Sequence, residues 1–324
     1  MFRTEINISP SSWKIPLGHR IFSLGSCFAV HIGELLSTYK FQTLTNPFGT
    51  IYNPLSIHKL ISMSLDLKDP GDWAFVKNQG VYRNFLFHSE ISSTNEEEFH
   101  SKTKKTLQLA HDHLIKTDVI LLTFGTSIIY RLKENNELVA NCHKMPSQDF
   151  HKSFLTADEI IESFSELYDR LKKLNNSIKF IITVSPVRHL KDTLELNSLS
   201  KAILRVACGK LVEEFEDVSY FPSYELVTDD LRDYRFYKED MLHPNDQAIK
   251  YVWQKFVQVY FDATTLKFLS DWTEILKALQ HKPFNSDSEE HKSFILKTIK
   301  KLDQFKNKTD ISEELKILKA QLHE

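Results

Sequence analysis

Asp240 and His243 stand three residues apart in "YKEDMLHPND". On one helical turn, side chains at that spacing face the same way. The carboxylate then holds one imidazole nitrogen and stabilises the cation, and the other nitrogen is left to take a proton from a nucleophile. Far earlier, "IFSLGSCFAVHIGELL" offers two nucleophiles side by side, Ser26 and Cys27. Both chemistries stay open. A thiol at a helix N-terminus has its pKa lowered by the helix dipole and by a nearby imidazolium. A serine hydroxyl is far less acidic and depends more on the base. Each feature alone has a bland reading: Asp-x-x-His as a cap, Cys27 as a packing residue, Ser26 as an N-cap. Their combination in one chain is what raises acyl transfer.

The elements around these residues predict where they sit. Residues 20 to 24 read as a strand, and Phe28, Ile32, Leu35 and Leu36 then recur at helical spacing, so Gly25-Ser26-Cys27 occupies a strand-to-helix turn. The apolar run in "DVILLTFGTS" (118 to 127) fits a strand buried on both faces, and "KFIITVSPVRH" (179 to 189) repeats it. Helices are predicted over 55 to 65, 95 to 115, 156 to 174 and 194 to 216, with Thr156 and Glu159 matching a capping box. A last helix is predicted to start near Pro244. Strand and helix alternate, which predicts an α/β doubly wound parallel sheet with helices on both faces. In such sheets ligands bind beyond the carboxyl ends of the strands. The three loops there carry Gly25-Ser26-Cys27, Gly125-Thr126-Ser127 and Ser185 to His189, so the reactive short loops fall on one edge.

Two segments interrupt the pattern. Residues 73 to 88 read as an inserted β-hairpin around Asn78-Gln79-Gly80, and "TNPFGTIYNP" reads as an irregular loop. Beyond residue 263 three amphipathic stripes follow: Leu266 to Leu279, Ile295 to Leu302, and Ile311, Leu315, Leu318 and Leu322. A linker is predicted over 282 to 290. The chain thus divides into an α/β domain, 1 to 262, and a helical extension, 263 to 324. The extension either folds back on the core, the preferred reading, or serves self-association or partner docking.

Composition narrows the function. Hydrophobic residues make up 41% and charged residues 26% of 324, ordinary for a soluble globular protein. A net charge of −2 gives no electrostatic case for nucleic acid. Three cysteines, Cys27, Cys142 and Cys208, argue against a disulfide framework. The N-terminal residues lack the apolar core of a signal peptide, and no window reaches the roughly 20 apolar residues of a membrane span. The expectation is a cytoplasmic protein with reduced thiols and no membrane partner. Neither a P-loop nor a dinucleotide-binding glycine motif occurs. The Cys142-His143 pair falls short of a zinc site, so neither metal nor cofactor is expected.

The order of Gly-Ser-Cys, Gly-Thr-Ser and Asp-x-x-His resembles the SGNH hydrolase superfamily, esterases whose first block reads Gly-Asp-Ser and last block Asp-x-x-His. More closely, "GSCFA" (25 to 29), "NPFGTIYNP" (46 to 54), "NCHKMP" (141 to 146), "SPVRHLKD" (185 to 192) and "DMLHP" (240 to 244) resemble the GSCFA-domain family. The resemblance spans roughly residues 15 to 262 and leaves the tail uncovered. It implies a flavodoxin-like three-layer fold with His243 as general base and Asp240 as its orienter. Gap-free alignment on Gly-Asp-Ser puts Cys27 at the nucleophile position, and a one-residue shift puts Ser26 there. The superfamily completes its oxyanion hole with a glycine in the second block and an asparagine in the third. Gly49 is the candidate glycine; the third block reads Gly125-Thr126-Ser127, so the asparagine is missing and a Thr126 or Ser127 hydroxyl would have to donate. His143 is a candidate substrate contact or second base, competing with a plain hydrogen-bonded loop role. Arg188, beside His189 on the ligand edge, is a candidate clamp for a carboxylate or phosphate, competing with a loop-closing salt bridge.

The expected function is therefore an acyl hydrolase or acyltransferase acting on an ester or thioester, with a small-molecule or carbohydrate ester as substrate. The alternative is a non-catalytic ligand-binding or assembly protein that keeps the fold.

Overall fold

The computed structural model describes residues 4–281 and 288–322. The first unit is β1 (Arg20–Gly25), α1 (Cys27–Thr38) and β2 (Gln42–Thr45). α2 (Pro54–Asp66) starts with Pro54 in its first turn, while the Asn53 side chain accepts the Ser56 amide and caps it. The expected hairpin follows as β3 (Phe75–Asn78) and β4 (Val81–Asn84), antiparallel, with Gln79 and Gly80 both at positive φ (52° and 75°). Two positive φ values in a two-residue loop match the twist of the flanking strands.

α3 (Glu96–Leu114) leads to β5 (Val119–Phe124), every residue of which is buried. Then come β6 (Ile128–Leu132), β7 (Leu138–Val139) and β8 (Phe150–Phe154), an antiparallel sheet in the order β7-β6-β8 that the sequence reading did not anticipate. α4 (Ala157–Leu174) carries the capping box of Thr156 and Glu159. β9 (Lys179–Val184), α5 (Leu194–Glu214), β10 (Val218–Tyr220) and the one-turn α6 (Ser223–Glu225) complete the alternation. α7 (Asp246–Tyr260) begins later than predicted. Asn245 caps it by accepting the Ala248 amide, and Pro244 lies outside the helix, bridged to Tyr237. A side-chain acceptor for an orphan amide outweighs the fit of a proline in the first turn.

The main sheet is five-stranded, all parallel, in the order β10-β9-β5-β1-β2. Numbering those five strands alone along the chain gives 2-1-3-4-5 when read from the β2 edge. The chain reverses direction between β1 and β5, and in doubly wound sheets the ligand crevice opens at that switch point. Ser26 follows β1 and Gly125 follows β5, so both border it.

Strand alternation sends side chains into two cores. Phe22, Leu24, Ile120, Leu122, Phe180 and Ile182 face α2, α3, α4 and α5. Ile21, Val119, Leu121 and Ile181 face α1 and α7. The second core continues into α8 (Ala263–Gln280), α9 (Glu289–Leu302) and α10 (Ser312–Ala320), through Trp272, Ile275, Ile295, Leu302 and Leu318. Trp272 is fully buried and donates its indole N–H to the Thr38 carbonyl at 3.0 Å; Tyr39 bonds Thr273, and Lys40 pairs with Glu314 at 2.7 Å. The described part of the extension thus folds back on α1. Residues 282–287, most of the predicted linker, lie outside the described residues. No helix among the described residues is long and apolar enough to cross a membrane.

Candidate active site

The Gly-Ser-Cys turn is built by close approach. A Cβ on Gly25 would lie 2.2 Å from the Thr123 carbonyl oxygen, so only glycine lets β1 run this close to β5 as it leaves the sheet. The "NPFGTIYNP" loop clamps the turn. Asn46 Oδ1 accepts the Gly25 amide at 2.8 Å, and the Ile51 amide donates to the Gly25 carbonyl at 3.0 Å. The Tyr52 carbonyl, on the same loop, accepts the amides of Gly125 and Thr126 at 2.7 and 3.1 Å. One loop therefore ties the ends of β1 and β5 together.

The two candidate nucleophiles are not equivalent in this turn. Ser26 occupies the N-cap position of α1, but its hydroxyl makes no cap bond, is 0% exposed and has no hydrogen-bond partner among the described residues. Cys27, the first residue of α1, is only partly buried. Burial pushes its thiol up. The Lys201 charge, the Cys27 and Phe28 amides and the Lys238 charge pull it down, and burial outweighs them. Tyr52 senses Cys27 in turn: its phenol is raised first by burial and then by the sulfur's charge.

Lys201 is the least expected member of the group. It is 1% exposed, and its ammonium donates to the carbonyls of Gly125 (2.6 Å) and Ser185 (2.7 Å), which follow β5 and β9. Burial lowers its pKa to about 7, with Cys27 the opposing charge. Lys201 lies on the buried stripe of α5 with Asn197, Ser200, Leu204, Cys208 and Leu211. A lysine at a core position of an otherwise inward-facing stripe was a sequence signal for this residue.

Asp240 and His243 meet, but not on a helix as the spacing suggested. They lie in the turn before α7, with Met241 at φ 59°. Asp240 Oδ1 accepts the amides of Leu242 and His243, both at 2.9 Å, while Oδ2 lies 2.6 Å from His243 Nδ1. Those two amides and then the ring hold the Asp240 carboxyl down at about 2. The Lys238 amide donates to the His243 carbonyl at 2.8 Å, which ties the pair to the lysine that acts on Cys27. No hydrogen bond among the described residues runs from His243 to Ser26 or Cys27.

The remaining candidates divide between scaffold and cavity. The Gly49 amide is taken by the Asn46 carbonyl at 2.8 Å, at φ 71° and against His88, a turn role. The Gly125 and Thr126 amides are taken by Tyr52, as above. Ser127 turns inward, with its amide and hydroxyl on Ser200 Oγ, which Thr126 Oγ1 also meets at 2.9 Å. His143 is buried with both ring nitrogens engaged, Nε2 with the Asn84 carbonyl at 2.7 Å and Nδ1 with Ser89 at 3.1 Å, and burial lowers its pKa to about 4. Arg188 has no carboxylate partner among the described residues; its guanidinium lies 5.5 Å from the Tyr237 ring centre. His189 is edge-on to Tyr52 with centroids 5.2 Å apart, and its buried Nε2 has no hydrogen-bond partner among the described residues. Burial lowers its pKa to about 4, and Lys201 pulls the same way.

Tyr52, Thr126 and His189 also line a cavity of about 410 Å³ that continues past Asn53, Tyr130 and Asp192. A larger groove of about 1060 Å³ runs between α1, α7 and α8, past Leu35, Trp253 and Leu269, and contains none of the candidate residues. No group of three or more His, Cys, Asp or Glu among the described residues is arranged to hold a metal ion. Sequence reasoning did not single out Tyr52, Lys201 or Lys238.

A parallel α/β sheet with a thiol, a buried lysine and a carboxylate-bound histidine near its carboxyl edge defines the class of molecule. The chain belongs to the GSCFA family, whose model matches residues 20–256. A second model, that of the GSCFA domain protein C-terminal domain, matches residues 272–324 and so covers the tail that the sequence motifs left unassigned. No curated protein matches the chain.

Proposed function

We propose that the protein is an SGNH-type acyl hydrolase or acyltransferase acting on an ester or thioester, with Cys27 as nucleophile and His243 as its base. The observation that carries this reading is the Asp240–His243 pair. A carboxylate fixed by two amides holds Nδ1 at 2.6 Å, which leaves Nε2 as the working nitrogen. Accessibility favours Cys27 over Ser26, whose hydroxyl is sealed in the core.

In this reading the Cys27 S–H proton passes to His243 Nε2 as sulfur bonds the acyl carbon. The tetrahedral intermediate expels the leaving oxygen or sulfur, which takes that proton from His243. Water or an acceptor hydroxyl then attacks the thioester, gives its proton to His243, and the thiolate leaves. The Cys27 and Phe28 amides, which act on the sulfur, open α1 where its dipole is positive. In this reading the turn that carries Asp240 and His243 shifts as a unit to bring Nε2 to the thiol, keeping the Nδ1 bond to Asp240. On the same reading the cavity lined by Tyr52, Thr126 and His189 receives a small-molecule or carbohydrate ester, and Arg188, next to His189 in sequence and without a carboxylate partner among the described residues, is the clamp for an anionic group on it. Neither a metal nor a redox cofactor enters these steps.

A second reading, a ligand-binding protein that keeps the fold, is favoured by one observation: the amides of Gly49, Gly125 and Thr126 are all taken by backbone carbonyls, leaving no second-block or third-block oxyanion donor among them. Covalent labelling with peptide mapping separates the two. The folded protein is treated with iodoacetamide and, separately, with a fluorophosphonate, beside His243→Ala. Fast, His243-dependent alkylation of Cys27 is the expected result. A His243-dependent fluorophosphonate adduct on Ser26 would move the nucleophile by one residue. If neither residue reacts faster than in unfolded protein, the binding reading takes over.

A further inference from the structure

Two insertions stand outside the main sheet, the β3–β4 hairpin and the β7-β6-β8 sheet, and the acyl-transfer steps use neither. Both meet at the loop "NCHKMP" (141 to 146). His143 and Lys144 in that loop hold φ 49° and 59°. Residues other than glycine stay in this left-handed region only where their surroundings fix them. His143 is fixed on four sides. Its amide donates to Asn141 Oδ1 at 2.9 Å, and its carbonyl accepts from Asn78 Nδ2 of the hairpin at 3.1 Å. Its ring nitrogens are held by the Asn84 carbonyl and by Ser89.

Strain of this kind gathers at ligand clamps, and a cavity adjoins it here. The loop gives Cys142 and Lys144 to the wall of the cavity of about 410 Å³, β6 gives Tyr130, and the loop after β9 gives Lys191. That volume takes a small molecule. The free charge on the wall has one sign. Asp192 is the one carboxylate among the described lining residues, and Lys152 of β8 pairs with it. Burial keeps Tyr130 and Cys142 protonated, at about 12 and about 11, and His143 and His189 neutral, both at about 4. Lys144 and Lys191 remain. Neither has a carboxylate partner among the described residues, and the Lys191 ammonium stands 5.7 Å from the centre of the Tyr130 ring. Arg188 is not on this wall but against Tyr237, so the two lysines form a separate cationic group.

We propose that this cavity binds a small molecule bearing an oxyanion, with Lys144 and Lys191 taking the phosphate or carboxylate and Tyr130 packing against the body that carries it. The inference rests on the acyl-transfer reading in one respect only: it makes the ester or thioester of that reading an anionic one. The binding needs no turnover, and the two insertions acquire a role as the frame that holds the lysine-bearing loop in place.

The test uses Cys142, itself on the wall, as the reporter. Full-length Cys27→Ala protein is treated with N-ethylmaleimide at about pH 9, where enough thiolate forms for reaction, and the modified peptides are mapped. Phenyl phosphate and benzoate are the probes, and phenol is the same ring without the charge. At least one of the two anions is expected to slow modification of Cys142, and phenol is not; which anion protects assigns phosphate or carboxylate. Lys144→Gln and Lys191→Gln are each expected to raise the half-protecting concentration about tenfold. Lys144→Arg and Lys191→Arg, which keep the charge, are expected to restore most of the protection. Equal protection by phenol, protection that both Gln variants leave unchanged, or none from either anion overturns the proposal. Charge-dependent protection in a chain that turns over no thioester removes the acyl-transfer reading and leaves the site standing. Turnover of a neutral acyl thioester without such protection does the reverse.

Discussion

Asp240 holds His243 twice, by the ring Nδ1 at 2.6 Å and by the backbone amide at 2.9 Å. The double hold fixes both the direction of the ring and its tautomer, since the nitrogen facing the carboxylate carries the proton. Asp240→Asn keeps an acceptor for the amides but removes the charge. Initial rates on a short acyl thioester are expected to fall on the order of 10²- to 10⁴-fold with an unchanged melting temperature. Equal rates would mean that the pair only shapes the turn. Because the Asp240 carboxyl is held down at about 2, its charge is present above the ordinary carboxylate range and is lost only as pH falls through that value.

Gly25→Ala should be among the most damaging small changes in the molecule. The added methyl would meet the Thr123 carbonyl oxygen at 2.2 Å, a backbone atom that no side-chain rotation can move away. Relief requires β1 and β5 to part, so a loss on the order of 3 kcal/mol is expected in urea denaturation. Gly80→Ala is the control, with nothing in the way of an added Cβ at φ 75°, against 154° at Gly25, and should cost less.

Acid should weaken the fold before the carboxylates titrate. Burial holds His58 at about 3 and both His143 and His189 at about 4, against an ordinary value of 6.5. Below that ordinary value the unfolded chain takes up protons that the native state refuses. Stability therefore falls as pH drops from about 6.5 toward 4, with a limiting slope of about 1.4 kcal/mol per pH unit for each group. Denaturant midpoints at a series of pH values measure the slope. His143→Gln, which keeps a donor and an acceptor, should flatten it.

Trp272→Ala should uncouple the extension from the α/β unit. The ring is fully buried, lies against Phe268 and Phe305 with centroids 5.7 and 5.4 Å away, and bonds Thr38. A loss of about 3–5 kcal/mol is expected. Limited proteolysis should then cut first within α8 to α10; unchanged resistance would show that the other contacts to α1 suffice.

The parallel sheet was legible because β5 and β9 are continuous apolar runs and the capping box of Thr156 and Glu159 is a local signal. The positions of Cys27 and Ser26 on a strand-to-helix turn followed from the same reasoning. The antiparallel β6-β7-β8 sheet was not legible: β8 has three exposed residues in five, so it lacks an apolar pattern, and its pairing with β6 is set by contact rather than by propensity. The Asp240–His243 pairing was read from spacing, but its geometry comes from a turn with Met241 at positive φ, which spacing does not encode. Lys201 escaped notice because a lone lysine in a helix is ordinarily solvated, although its place on the inward-facing stripe of α5 was a signal and the sheet ends confirm that it is sealed in.

The bond from Trp272 to Thr38 joins residues 234 positions apart. A ribosome makes α1 long before it makes α8, so the apolar side of the helix that opens with Cys27 has to wait for its cover. Until then Thr38 and Tyr39 lack their partners Trp272 and Thr273, and the helix is held from one side only. The order of synthesis thus sets when α1 is complete: the helix that opens with Cys27 gains its last contacts when the extension, made last among these elements, closes over its other end.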